Sequence, residues 1–179
     1  MPFEIPTPPP GEPTWPYELY KLLKDSGVTQ FSYVPDAGHK VLINLSLADP
    51  DVHSIPLTSE EEGVAMAAGA HLGGQKHVLL MQSSGAGNCI NMLSLPRLGK
   101  FPFLTILSMR GDYGEGNPWQ MPMGKSVQPV LEACDVMCLK VESADEVLSA
   151  VSAGLTMAFQ SQESVAVLLG QKMLGAKKF

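Results

Sequence analysis

Apolar residues recur along the chain in two alternating rhythms. Short unbroken runs are bounded by glycine, proline or small polar residues, and between them lie stretches in which apolar side chains return every three or four positions. The short runs, Phe31–Val34, Val52–Leu57, His77–Gln82 (HVLLMQ), Phe103–Ser108, Val136–Lys140 and Ser164–Leu169 (SVAVLL), read as strands. The densest of them have the composition of strands buried on both faces. Helical periods cover Tyr17–Ser26, closed by Gly27 as a C-cap, then Lys40–Leu47, a stretch from Asn88 through Leu95, and Ser126–Ala133. A last helix spans Ser143–Phe159, with Ala144, Val147, Leu148, Val151 and Leu155 turned inward. The strand–helix alternation predicts an α/β fold over residues 17–179, a mostly parallel central sheet with helices on both faces. A proline-rich arm, residues 1–16, precedes it and is expected to lie extended on the surface or on a partner.

One segment departs from both rhythms. Thr58–Leu72, TSEEEGVAMAAGAHL, sets three glutamates at the mouth of a helix made almost wholly of glycine, alanine and valine. Ser59 is the expected N-cap, and negative charge in the first turn suits the helix dipole. So little side-chain bulk predicts close packing on all sides. Consecutive helical residues point about 100° apart, so at most one or two of Glu60, Glu61 and Glu62 face inward.

Three connections are candidate site elements. Pro35–His39 follows the first strand and is either a site lip or a surface turn, with His39 exposed at the helix start in the second case. Ser83–Asn88 (SSGAGN) is a glycine loop between a strand and a helix, where backbone amides can approach a ligand. It lacks the Lys-Ser/Thr of a phosphate loop and does not match G-x-G-x-x-G. Met109–Lys125 is long for a connection and too apolar for a linker, so it is expected to fold over a ligand or against another subunit. Cys134 and Cys138 have a C-x-x-x-C spacing that could suggest a metal, but without a second pair or a nearby histidine they read, with Cys89, as buried reduced thiols. A net charge of −6 and a pI near 5.1 argue against a nucleic-acid or anionic-membrane surface. With no signal peptide and no long apolar run, a cytoplasmic protein is expected.

Together, Val34-Pro35-Asp36, Glu60 with its small-residue helix ending in Ala67-Ala68-Gly69, Ser84-Gly85-Ala86-Gly87-Asn88, and Arg110-Gly111 followed by Gln120-Met121-Pro122-Met123-Gly124 resemble the pyrimidine-binding domain of thiamine-diphosphate-dependent 2-oxoacid decarboxylases. The resemblance spans nearly all of the chain after the arm. It is strongest to the α subunits of sulfopyruvate decarboxylases, with phosphonopyruvate decarboxylases as relatives. It implies that Glu60 binds N1′ of the cofactor's aminopyrimidine and activates it, with Glu61 as the fallback one residue on. Ser84, Gly85, Ala86, Gly87 and Asn88 would line the cofactor, Asn88 either orienting it or capping the next helix. His39, Arg110 and Gln120 would meet an anionic 2-oxoacid substrate, unless Arg110 pairs with Asp112 or Glu115. The family's Gly-Asp-Gly motif and later asparagine, which hold Mg²⁺ and the diphosphate, have no counterpart, because Gly111-Asp112 continues with Tyr113. The resemblance therefore implies a separate β subunit that carries the diphosphate-binding domain and the metal, with thiamine diphosphate shared between the two chains. A non-catalytic binding or regulatory subunit is the alternative.

Overall fold

Six strands carry the fold: β1 (Val28–Tyr33), β2 (His53–Pro56), β3 (Lys76–Gln82), β4 (Phe103–Ser108), β5 (Met137–Val141) and β6 (Ser164–Leu169). In the computed structural model, which describes residues 3–176, they form one sheet in the order β2-β1-β3-β4-β6-β5. Every pair is parallel, with registers such as Phe31 opposite Val78, Leu80 opposite Ile106, and Ile106 opposite Val167. Among the described residues eight α-helices precede, connect or follow the strands: α1 (Trp15–Asp25), α2 (Lys40–Ala48), α3 (Glu60–Leu72), α4 (Ala86–Cys89), α5 (Ser94–Gly99), α6 (Met121–Ala133), α7 (Val147–Phe159) and α8 (Gln171–Leu174).

Strand pleating sorts the apolar runs into two cores. Val78, Leu80, Leu104, Ile106 and Val167 face Leu19, Tyr20, Leu23, Leu42 and Val151 of α1, α2 and α7. Their neighbours Leu79, Met81, Phe103, Leu107 and Leu168 face Val64, Ala67, Cys89, Val127 and Leu131 of α3, α4 and α6. The chain leaves β1 toward β2 and returns to place β3 on the other side, so a crevice opens between the carboxyl ends of β1 and β3. Ligands of open α/β sheets gather at such a reversal.

Several elements differ from the sequence expectation. Trp15 and Pro16 belong to α1, since proline is preorganised for a first helical turn, and the arm starts its helix earlier than its composition predicts. Phe3 lies edge-on to Tyr20 with ring centroids 6.3 Å apart, so the arm rests on its own α1. The connection after β4 is shorter than predicted: a 3₁₀ turn at Pro118–Gln120 leads directly into α6, whose early Pro122 is tolerated for the same reason as Pro16. Ala144 is exposed in a 3₁₀ turn, whereas Val147, Val151 and Leu155 of α7 are buried as expected, joined by Gly154 and Ala158, and Leu148 is half-buried. Nor is α3 packed on all sides, because Ala65, Gly69 and Leu72 face solvent.

Candidate functional site

Because all strands run parallel, the turns after β1, β2, β3, β4 and β6 meet at one edge of the sheet. Glu60 is the first residue of α3 there, and its side chain turns inward at 7% exposure while Glu62 stays in solvent. Ser59 holds the N-cap position in extended backbone, but its hydroxyl donates to Glu61 and does not cap the helix. The Glu62 carboxylate accepts from the Thr58 amide at 3.0 Å, which closes the helix entrance. Asn88 Nδ2 donates to Glu60 Oε2 at 2.8 Å. Oε1 accepts no hydrogen bond among the described residues. A carboxylate so placed, buried, oriented through one oxygen and uncommitted at the other, is able to accept a hydrogen bond from a ring N–H that enters the crevice.

The expected glycine loop is wound up. Ser83–Gly85 is a 3₁₀ turn that runs directly into α4, and neither Gly85 nor Gly87 has a positive φ. Gly85 is required by proximity, since a Cβ there would overlap the Glu60 carboxylate. Gly87 lies beside Met123 of α6, which brings the start of that helix to the same place. Asn88 caps nothing, because its amide is spent on Glu60. Cys89 packs below, its thiol pushed up to about 12 by burial and by Glu60.

Asp36 locks the turn after β1 to its neighbours. It accepts from the Gly38 amide at 2.8 Å, Ser108 Oγ at 2.5 Å and Gln82 Nε2 at 3.0 Å. Burial pushes its carboxyl up, but the bonds from Ser108 and Gln82, with His39 and the Gly38 amide, hold it below the usual carboxylate range. His39 is 1% exposed, its Nε2 3.2 Å from the Met81 carbonyl, and burial lowers its pKa. It thus lies beneath the crevice floor and presents no surface to a substrate.

Arg110 makes a two-pronged pair with Glu115, Nη2 standing 2.7 Å from Oε1 and Nε bonded to Oε2. The guanidinium holds Glu115 down to about 2. Gln171, at the start of α8, completes this clamp: its Oε1 accepts from the Gly111 amide at 2.9 Å and its Nε2 donates to Glu115 at 2.9 Å. Sequence reasoning missed Gln171, since a polar residue after the last strand carries no local signal. Gln120 sits where the 3₁₀ turn enters α6, with its Oε1 buried and unpartnered. A cavity of about 190 Å³ opens between the arm, Asp36, Ser108, Arg110 and Gln171. Cys134 and Cys138 lie at the opposite edge, and among the described residues no group of three or more His, Cys, Asp or Glu could hold a metal.

Comparison with known proteins decides the family. "Sulfopyruvate decarboxylase subunit alpha" of Methanococcus maripaludis is 39% identical over 152 residues, 84% of this chain and 91% of its own length. The chain belongs to the sulfopyruvate decarboxylase α-subunit family. Another member, from Methanocaldococcus jannaschii, is 36% identical over 151 residues, 84% of this chain and 89% of that one. The "Phosphonopyruvate decarboxylase" of Streptomyces viridochromogenes is 36% identical over 139 residues, which make up 76% of this chain and only 35% of its own. That relative is the longer protein, and the match to this chain covers about a third of it. Among solved structures, a 2-oxoglutarate:ferredoxin oxidoreductase from Magnetococcus marinus superposes with a TM-score of 0.70 at 19% identity. The match covers 86% of this chain and 28% of that one, and it shows the fold alone. No protein-family model matches the chain. Among the described residues no helix is long and apolar enough to cross a membrane.

Proposed function

We propose that this chain is the pyrimidine-binding α subunit of a thiamine-diphosphate-dependent decarboxylase that converts sulfopyruvate to sulfoacetaldehyde and CO₂. The observation that carries the reading is Glu60: a buried carboxylate at the sheet's switch point, oriented by Asn88 through one oxygen and free at the other. These residues fit an aminopyrimidine edge. When bound, the cofactor supplies a nucleophilic carbon and an electron sink for the departing carboxylate. Glu60 holds and exchanges the proton at N1′ of the ring, and its poor solvation strengthens that hydrogen bond. Asn88 keeps the carboxylate aimed, and Gly85 leaves room for it. Ser84 and Gly87 form the wall beside the ring, while Ala86, which the resemblance also names, packs behind them in the core.

A separate β subunit supplies the diphosphate and Mg²⁺ site, so that cofactor and substrate sit between the chains. Arg110 and Gln120 reach the anionic tail of the substrate, Arg110 through Nη1, which makes no hydrogen bond among the described residues while Nε and Nη2 hold Glu115. The 36% identity to a phosphonopyruvate decarboxylase supports a phosphonate tail as the second reading.

The test is reconstitution with the diphosphate-binding subunit, thiamine diphosphate and Mg²⁺, with sulfopyruvate and phosphonopyruvate offered in parallel. Glu60→Gln is expected to lower turnover about 10²- to 10⁴-fold while the complex still assembles. Unchanged turnover would show that this carboxylate is not the activating group and favour a regulatory subunit.

A further inference from the structure

Of the large apolar side chains at the surface, Trp119 is among the barest at 83% exposure, and Met121 beside it is 39% exposed. Pro118 and Pro122 are exposed as well, so Pro118–Pro122 presents an apolar run broken only by the half-buried Gln120 and free of charge. A contiguous exposed apolar run, unlike apolar side chains scattered singly, is a mark of an interaction surface. Of the charged groups near it, Arg110 and Glu115 neutralise each other, and the exposed Lys125 stands one helical turn further on.

The run is also held rigid. Glu115 Oε1 accepts from the Asn117 amide at 2.9 Å, and Asn117 Oδ1 accepts from the Trp119 amide at 3.0 Å, which caps the 3₁₀ turn on which the indole stands. Gly111, at φ +85°, lets the Gln120 backbone press against it, and Gly124 does the same for Arg110. An aromatic anchor on a braced turn loses little entropy when a second surface covers it. Through Met123 the turn is continuous with Gly87 and the helix that orients Glu60.

We infer that Pro118–Pro122, with Trp119 at its centre, is the anchor that seats the diphosphate-binding subunit at the rim of the cofactor crevice. Its complement is an uncharged apolar pocket deep enough for an indole. The inference rests on the two-subunit reading above, because the surface that must close the Glu60 crevice is the one that reaches this rim.

Trp15 and Trp119 are the only tryptophans of this chain, so Trp15→Phe with 5-hydroxytryptophan incorporated in place of tryptophan, excited beyond ordinary indole absorption, makes Trp119 the sole reporter in the mixture. That chain is titrated with the diphosphate-binding subunit in the presence of thiamine diphosphate and Mg²⁺, and emission maximum, acrylamide quenching and decarboxylase activity are read together. Covering the indole shifts emission to the blue and suppresses quenching as activity appears. Trp119→Ala in the otherwise native chain weakens assembly about 30-fold or more, with turnover restored when the partner is in excess. If an active complex forms while Trp119 stays open to quencher and Trp119→Ala assembles normally, the docking site is overturned and the two-subunit enzyme stands. Normal assembly with a raised KM instead makes Trp119 a substrate lid, which also overturns it. If the native chain binds no such subunit, the two-subunit reading itself fails, and the docking site with it.

Discussion

Three adjacent glutamates meet different fates because each residue of α3 is turned about 100° from the last. Glu60 faces the sheet, Glu61 takes the Ser59 hydroxyl, and Glu62 closes the helix entrance. Motif alignment points to Glu60 in the sequence and names Asn88 as a cofactor-lining candidate, but no spacing shows that these two residues, 28 positions apart, bond to each other. Asn88→Ala removes one hydrogen bond to a carboxylate, worth about 1.5–3 kcal/mol. Turnover should fall roughly 10- to 100-fold. Asn88 is exposed, so the thermal midpoint of the isolated chain should hardly move. Gly85→Ala acts on the same atoms from the other side. Its backbone accepts alanine, and the overlap is with the movable end of Glu60. Steady-state kinetics should therefore show a large loss of turnover, while denaturation shows a cost no greater than about 1–3 kcal/mol.

The elements differ in how far local pattern foretold them. Phe103–Ser108 and Ser164–Leu169 match the strands residue for residue, because a strand buried on both faces is an unbroken apolar run. The start of α6 was hidden by Pro118 and Pro122, which break helices in their interiors and favour them at their first turns. What sets this start in place is contact: a Cβ on Gly124 would overlap the backbone of Arg110 and Gly111, which cannot yield as a side chain does. Gly124→Ala should cost about 1–3 kcal/mol. Calorimetry should show the midpoint lowered by about 2–4 °C per kcal/mol for a chain of this size. Activity should fall further than stability, since the displaced segment carries Arg110 and Gln120.

At the scale of the whole molecule, His77 sets an acid limit on stability. It is 2% exposed in β3, its Nε2 2.7 Å from Ser32 Oγ of β1, and burial lowers its pKa from 6.5 to about 4. Above pH 6.5 the ring is neutral in both the folded and unfolded chain. As pH falls from 6.5 toward 4 the unfolded chain takes up a proton that the folded chain refuses, so stability is lost across that window, by about 3 kcal/mol in all. The lowered pKa of His39 acts in the same direction. Urea denaturation across this range should show the decline, and His77→Gln, which keeps a partner for Ser32 and does not titrate, should flatten it. Asp36 and Glu115, whose pKa values are depressed, lose their contribution only below the usual carboxylate range, so the two effects separate on the pH axis.

From the sequence alone, the alternation of buried runs and helical periods determined a parallel α/β sheet, and a glutamate before a small-residue helix determined which carboxylate to follow. Both are written in spacings of two to four residues, which neighbouring side chains read directly. Only the tertiary structure decided that the crevice opens between β1 and β3, that Asn88 aims Glu60, that His39 is sealed under the floor, and that Arg110 is already held by Glu115 and Gln171. Each of these depends on which strand lies beside which and in what register. That choice is made by the packing of the whole core, and no local pattern records it.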